Sequence, residues 1–138
     1  MSDEGVISDA VRRMWDDDAA SRRLGMELHE AVDGFARLTM RVNSEMVNGH
    51  GMCHGGYVFL LADSAFACAC NSFGPVTVAA AADIVFVAPT RDGDVLEATA
   101  TARTTFGRSA VYDVTVTRVG DGQVVAEFRG RSRSQRPS

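Results

Sequence analysis

Hydrophobic and polar positions alternate with a period of two over several stretches of the chain, and each such stretch predicts a half-buried strand. From Phe35 to Val42, Ala36, Leu38, Met40 and Val42 share one face while Arg37, Thr39 and Arg41 share the other. From Val95 to Thr105, Leu96, Ala98, Ala100 and Ala102 oppose Glu97, Thr99, Thr101 and Arg103. Ala110, Tyr112, Val114 and Val116 line up in the next stretch, and Val124, Ala126 and Phe128 in the last, where Glu127, Arg129, Arg131 and Arg133 face outward. Met26 to Val32 reads as a further short strand, joined to Phe35 by Asp33-Gly34, a strong two-residue hairpin signal. Pro89, Asp92-Gly93, Gly107 and Gly120-Asp121-Gly122 punctuate the rest. Val76 to Val87 breaks the alternation. It is a continuous Ala- and Val-rich run, which predicts a central strand covered on both faces.

Two segments follow a helical period instead. Gly5 to Leu24 is weakly amphipathic, with Ile7, Val11 and Met14 at helical spacing, a second turn or helix opening at Asp16-Asp17-Asp18, and a stop at Gly25. The other begins near Gly55-Gly56, ends before Pro75 and is apolar nearly all round, so it must be buried on most sides. The order is helix, hairpin, greasy helix and a run of antiparallel strands. This is an α+β pattern, in which one curled antiparallel sheet wraps a long central helix and Ser134 to Ser138 form a loose tail.

The length of 138 residues suits a single domain spanning residues 1–138. A formal charge of −4 argues against a nucleic-acid binder. The acidic opening MSDEGVISDA does not resemble a signal peptide, and the apolar run from Tyr57 to Ala69 is too short to span a bilayer. A cytoplasmic protein is expected. Cys53, Cys68 and Cys70 form no CxxC pair, and Cys68 and Cys70 lie about 200° apart around a helix. They are expected to be free thiols.

The candidate chemistry concentrates in NGHGMCHGGYVFLLADSAFACACNSFG, from Asn48 to Gly74. Asp63 is a carboxylate among Leu60, Leu61, Ala62, Ala65 and Phe66, costly to bury without partners. Either it bonds a neighbouring group and has no chemistry, or it is a reactive carboxylate. Gly55 stands where a helix starts, so its amide has no intrahelical acceptor and lies in the positive field of the helix dipole. It is either a hinge or an oxyanion hole for acyl transfer. Eight residues separate Gly55 from Asp63, about 12 Å along a helix axis. If one reaction uses both, they come from two antiparallel copies in a twofold dimer. His50 and His54 are four apart, but the flanking glycines disfavour a helix there and no further ligands are evident, so no metal site is expected. His54 is placed to orient the loop or a ligand carbonyl, and Asn48 to satisfy turn amides or bond a substrate. Tyr57, Leu60, Leu61, Phe66 and Phe86 line an apolar pocket or are plain core.

The run from Asn48 to Ser72, with the later stretches DIVFVAP, DGDVLEATA, VYDV and AEFRGRS, resembles the hot-dog-fold acyl-CoA thioesterases, and among them the type of phenylacetic acid degradation. The resemblance covers nearly the whole chain. It implies that Asp63 is the catalytic nucleophile or general base, Gly55 the oxyanion-hole glycine, and His54 and Asn48 the groups beside the thioester. It implies an acyl-CoA substrate, with phenylacetyl or hydroxyphenylacetyl groups preferred, no cofactor, and homodimers that pair into tetramers. Arg91 and the Gly107-Arg108-Ser109 turn are candidates to hold coenzyme A, because related enzymes hold it along such loops; solvated surface charge is the other reading. Some relatives carry Ser or Thr on the strand after the helix to hold water, whereas this chain has Ala79-Ala80-Ala81-Ala82. Two other readings remain on this fold. One is an enoyl-CoA hydratase, which needs an Asp/His pair that His54 and Asp63 could form only across a dimer. The other is a non-catalytic acyl-CoA-binding regulator, for which the chain leaves no room for a DNA-binding appendage.

Overall fold

The computed structural model describes residues 5–135. Two short helices, α1 (Asp9–Asp16) and α2 (Ala19–Arg23), precede the hairpin of β1 (Glu27–Val32) and β2 (Phe35–Arg41). A 3₁₀ turn (Ser44–Met46) and a loop lead into α3 (Gly55–Asn71). Strands β3 (Thr77–Phe86), β4 (Val95–Phe106), β5 (Ser109–Arg118) and β6 (Val124–Ser134) follow. All six strands form one antiparallel sheet in the order β1-β2-β4-β5-β6-β3, with α3 packed on its concave side.

The local reasons are visible residue by residue. Asp33 and Gly34 both take positive φ (52° and 80°), the type I′ turn that Asp-Gly favours. The inward sets read from the alternation are buried: Ala36, Leu38 and Met40 on β2, Leu96, Ala98 and Ala100 on β4, and Tyr112, Val114 and Val116 on β5. On α3, Val58, Leu61, Ala62, Ala65, Phe66 and Ala69 fill the hollow of the sheet. Phe66 lies edge-on to Tyr112 (5.5 Å between centroids) and sits over Gly130, where an added Cβ would come within 2.8 Å of the Phe66 ring. At its far end α3 is tied to β3 by Asn71, whose side chain accepts from Thr77 N–H (2.9 Å) and donates to Thr77 O (3.0 Å).

Three expectations change. The N-terminal segment is not helical from Gly5. Residues 5–8 run beside β1, with Ala31 N–H donating to Val6 O (2.9 Å) and Ser8 N–H to Ala31 O (2.8 Å). Ser8 then caps α1 and Asp18 caps α2. At the other end, Ser134 still belongs to β6 and Gln135 N–H donates to Val76 O (2.8 Å), so the expected loose tail is paired up to residue 135; residues 136–138 lie outside the described residues. Most consequentially, the apolar run Val76–Val87 does not form a central strand. β3 is an edge of the sheet, bonded among the described strands only to β6, and Val78, Val85 and Phe86 are each more than half exposed. Helix α3 has a matching uncovered stripe. Gly56 is exposed, and Leu60, Asp63 and Ala67, which follow it at helical spacing, are only partly buried.

Candidate active site

The site grows from the loop between the 3₁₀ turn and α3. Asn48 Oδ1 accepts from two amides of its own loop, His50 N–H (2.9 Å) and Met52 N–H (3.2 Å). These two donors fix the orientation of the amide group, so the Asn48 Nδ2 hydrogens are the ones left for an outside acceptor. The loop then delivers His54 as the N-cap of α3. His54 Nδ1 accepts from Gly56 N–H (3.1 Å), and His54 O accepts from Tyr57 N–H (3.0 Å). The Gly55 amide has no hydrogen-bond partner among the described residues. One N–H in the first turn of the longest helix is therefore free, in the positive field of the helix dipole.

That turn borders a cavity of about 420 Å³, lined by Asn48, Gly55, Val58, Phe86, Thr90 and Val125, among others. A Cβ at Gly55 would lie 3.0 Å from the Phe86 ring. Val125 reaches this wall through a β-bulge. The register of β5 and β6 slips between Val116 and Thr117, leaving Val125 and Ala126 both buried. Val125 O accepts from Val87 N–H (2.7 Å) and Ala88 N–H (3.2 Å), and all three residues line the cavity.

Asp63 lies two turns along α3 from Gly55, about 12 Å by helical rise, on the uncovered stripe. It has no hydrogen-bond or ion-pair partner among the described residues. Burial pushes its pKa above the ordinary aspartate value, and the charge of Asp18 adds to the shift. Asp18 is held by a string of short bonds: its carboxylate accepts from Ser21 N–H (3.0 Å) and Ser21 Oγ (2.7 Å), and Ser21 Oγ bonds Ser64 Oγ (2.7 Å).

The structure thus gathers Asn48, His54, Gly55 and Arg91 around one loop, where Arg91 Nη1 donates to Gly51 O (3.3 Å). Tyr57 is partly buried, with its ring edge-on to His54 at 6.5 Å. Arg108 and Ser109 are not part of this cluster. They border a small cleft with Cys70, Phe73 and Tyr112 at the opposite end of α3. Of the side chains proposed for an apolar pocket, Leu61 and Phe66 are core, while Phe86 lines the cavity. Thr90, Val125 and Asp18 were not legible as site residues, since each reaches the site from another element. Among the described residues no three His, Cys, Asp or Glu side chains gather as a metal-binding group, and no helix is long and apolar enough to cross a membrane. The thiols of Cys68 and Cys70 are pushed up to about 12, chiefly by burial.

A free amide at a helix start and a carboxylate on the same helix suit acyl transfer, and the likeness to known proteins decides the family. Residues 50–125 match the thioesterase superfamily. The chain belongs to that family. This thioesterase is 44% identical to the acyl-coenzyme A thioesterase PaaI of Escherichia coli K12 over 119 residues, covering 86% of this chain and 84% of the relative. Its fold superposes on the solved E. coli PaaI protein of the phenylacetic acid degradation operon with a TM-score of 0.89, at 41% identity, covering 94% of this chain and 93% of that one. A Streptococcus mutans protein solved with acetyl-CoA bound is similar at TM-score 0.76 and 25% identity, covering 80% and 88%. The sheet and helix are the hot-dog fold, and the chain is a thioester hydrolase of the PaaI type.

Proposed function

We propose that this thioesterase hydrolyses phenylacetyl-CoA, hydroxyphenylacetyl-CoA or related aryl- and acyl-CoA thioesters to the free acid and coenzyme A, at a site shared between two subunits. The unpartnered Gly55 amide beside an apolar cavity carries this reading. The thioester carbonyl oxygen takes the Gly55 N–H as its charge develops, with Asn48 Nδ2 as a second donor. Asp63 of the partner subunit faces the carbonyl carbon. As a base it accepts a proton from water while the water oxygen bonds to that carbon; as a nucleophile it forms an anhydride that water then opens. In either route the C–S bond breaks, the electron pair leaves with the coenzyme A sulfur, and that sulfur takes up a proton. His54 keeps the helix start in place through its bond to the Gly56 amide. No cofactor is required, because the proton movements need only water and a carboxylate.

The uncovered stripe of α3 and the free edge of β3 support the dimer, since both offer apolar surface or unpaired backbone to a second copy. If two α3 helices run antiparallel with Gly55 opposite Asp63, the C-terminal end of the partner's α3 passes about 12 Å beyond Gly55. That brings Arg108 and Ser109 of the partner subunit toward the coenzyme A phosphates, alongside Arg91 and Tyr57 of the first chain. Phe73, Val76 and Phe106, each half exposed or more, offer further apolar surface for dimers to pair into a homotetramer. The three free cysteines suit a cytoplasmic place of work.

The test is a hydrolysis panel of arylacetyl-, benzoyl- and straight-chain CoA thioesters with the wild type and Asp63→Asn. The wild type is expected to release coenzyme A fastest from arylacetyl thioesters, and Asp63→Asn to lose about 10²-fold or more in kcat with its fold intact. A variant with near-normal kcat would sink the role given to Asp63.

A further inference from the structure

Among the described residues, one buried side-chain polar atom has no hydrogen-bond partner: Thr90 Oγ1. Thr90 is only 2% exposed and lines the cavity that Gly55 borders. Its backbone carbonyl is engaged, accepting from Cys53 N–H at 2.7 Å. The Cys53 thiol lies near enough to the hydroxyl to interact with it, yet that thiol donates to His54 O at 3.6 Å and its sulfur is a weak acceptor. The hydroxyl is therefore left without a strong partner, which native proteins seldom tolerate without a reason.

The rest of the wall sharpens the question. Away from Asn48, Gly55 and the weakly polar Cys53 thiol, the lining includes Val58, Phe86, Val87 and Val125, which offer no polar side chain. Thr90 carries a methyl and a hydroxyl on one carbon, and a step between χ1 rotamers exchanges them. That step breaks at most a weak contact between the hydroxyl and the Cys53 sulfur. The hydroxyl can donate and accept, so it suits the oxygen of a hydroxyl or carbonyl group.

We propose that Thr90 is a specificity-determining residue, whose hydroxyl bonds a single hydroxyl or carbonyl group carried on an otherwise apolar acyl body. The inference rests on the reading that this cavity holds the acyl group. A polar substituent entering an apolar pocket loses its water and is rejected unless the wall supplies a partner. With Thr90 as that partner, the substituted acyl group is favoured over the plain hydrocarbon.

The experiment compares phenylacetyl-CoA with its 2-, 3- and 4-hydroxy derivatives on the wild type, Thr90→Val and Thr90→Ser. The wild type should prefer at least one hydroxylated member. Thr90→Val should lower kcat/KM for that member about tenfold or more and leave phenylacetyl-CoA within about twofold. Thr90→Ser should keep the preference. Thr90→Val should also melt close to wild type, because the hydroxyl it removes makes at most a weak contact with the Cys53 sulfur. No preference in the wild type, or equal changes for both members of the pair, would overturn the proposal. Should the enzyme hydrolyse no thioester of the series, the reaction assigned above fails instead. Calorimetry with thioether analogues of the same pair then decides the role of Thr90, and equal loss of affinity for both analogues, or none for either, overturns it.

Discussion

Asp63 holds a carboxylate for which the described residues offer neither a hydrogen bond nor an ion pair. Asp113 shows the contrast: Arg129 clasps it at 2.7 Å and holds its pKa below the ordinary value. For Asp63 burial acts first and the charge of Asp18 second, and both disfavour the ionised form. The folded chain therefore binds the Asp63 proton more tightly than the unfolded chain does. This favours folding most at pH below the ordinary aspartate pKa, and the benefit is lost as pH rises through the raised folded value. Asp63→Asn cannot ionise, so it should be more stable than wild type at neutral pH, with the gap closing on acidification. Denaturant midpoints from about pH 4 to 8 would check this, and a variant less stable at neutral pH would contradict it. At this scale the sequence was informative where the candidate site lies within a few neighbouring residues. Gly55, His54 and Asn48 could be read together because one loop and one helix start carry them. The unpartnered Thr90 hydroxyl could not be read, since whether it finds a partner depends on a loop some forty residues away.

At the level of elements, α2 gives the clearest consequence. Its cap, Asp18, is joined through Ser21 to Ser64, the residue after Asp63. The charge of Asp18 raises the pKa of Asp63 and of Cys68, and the charge of Asp63 raises that of Cys70, in each case after burial. Asp18→Asn keeps a good N-cap and removes a negative charge. Asp63 should then ionise at lower pH, and the acid limb of kcat/KM should move down in pH with the plateau unchanged. An unmoved limb in a folded variant would contradict the coupling. The hairpin and the inward faces of β2, β4 and β5 were legible, because alternation and Asp-Gly chemistry are local. β3 was misread for a physical reason. A continuous apolar run says that both faces seek cover, not that the same chain provides it. The bulge at Val125 was equally hidden, as one extra residue shifts which side chains point inward without changing the composition.

The whole molecule combines a nearly complete sheet, a helix with one uncovered stripe, and an apolar strand at an open edge. The family was legible in the Asn48–Ser72 motif, and the fold followed from it and from the strand order. The proposed assembly rests on an argument about distance: a free amide and a carboxylate about 12 Å apart on one helix cannot meet the same atom. The central claim, that each site takes Gly55 from one subunit and Asp63 from the other, is tested most directly by mixing two inactive variants. One is Asp63→Asn. The other is Gly55→Pro, which removes the amide hydrogen. Proline suits the first helical position, and His54 already has the extended backbone a residue before proline adopts (φ −61°, ψ 133°). The Phe86 ring, on an exposed edge, needs to yield by only a few tenths of an ångström. Circular dichroism and oligomer size of both variants are matched to wild type before they are unfolded and refolded together. Random pairing makes about half the dimers mixed, each with one intact site, so roughly a quarter of wild-type activity should return. Mixed dimers that form and restore no activity would contradict the shared site.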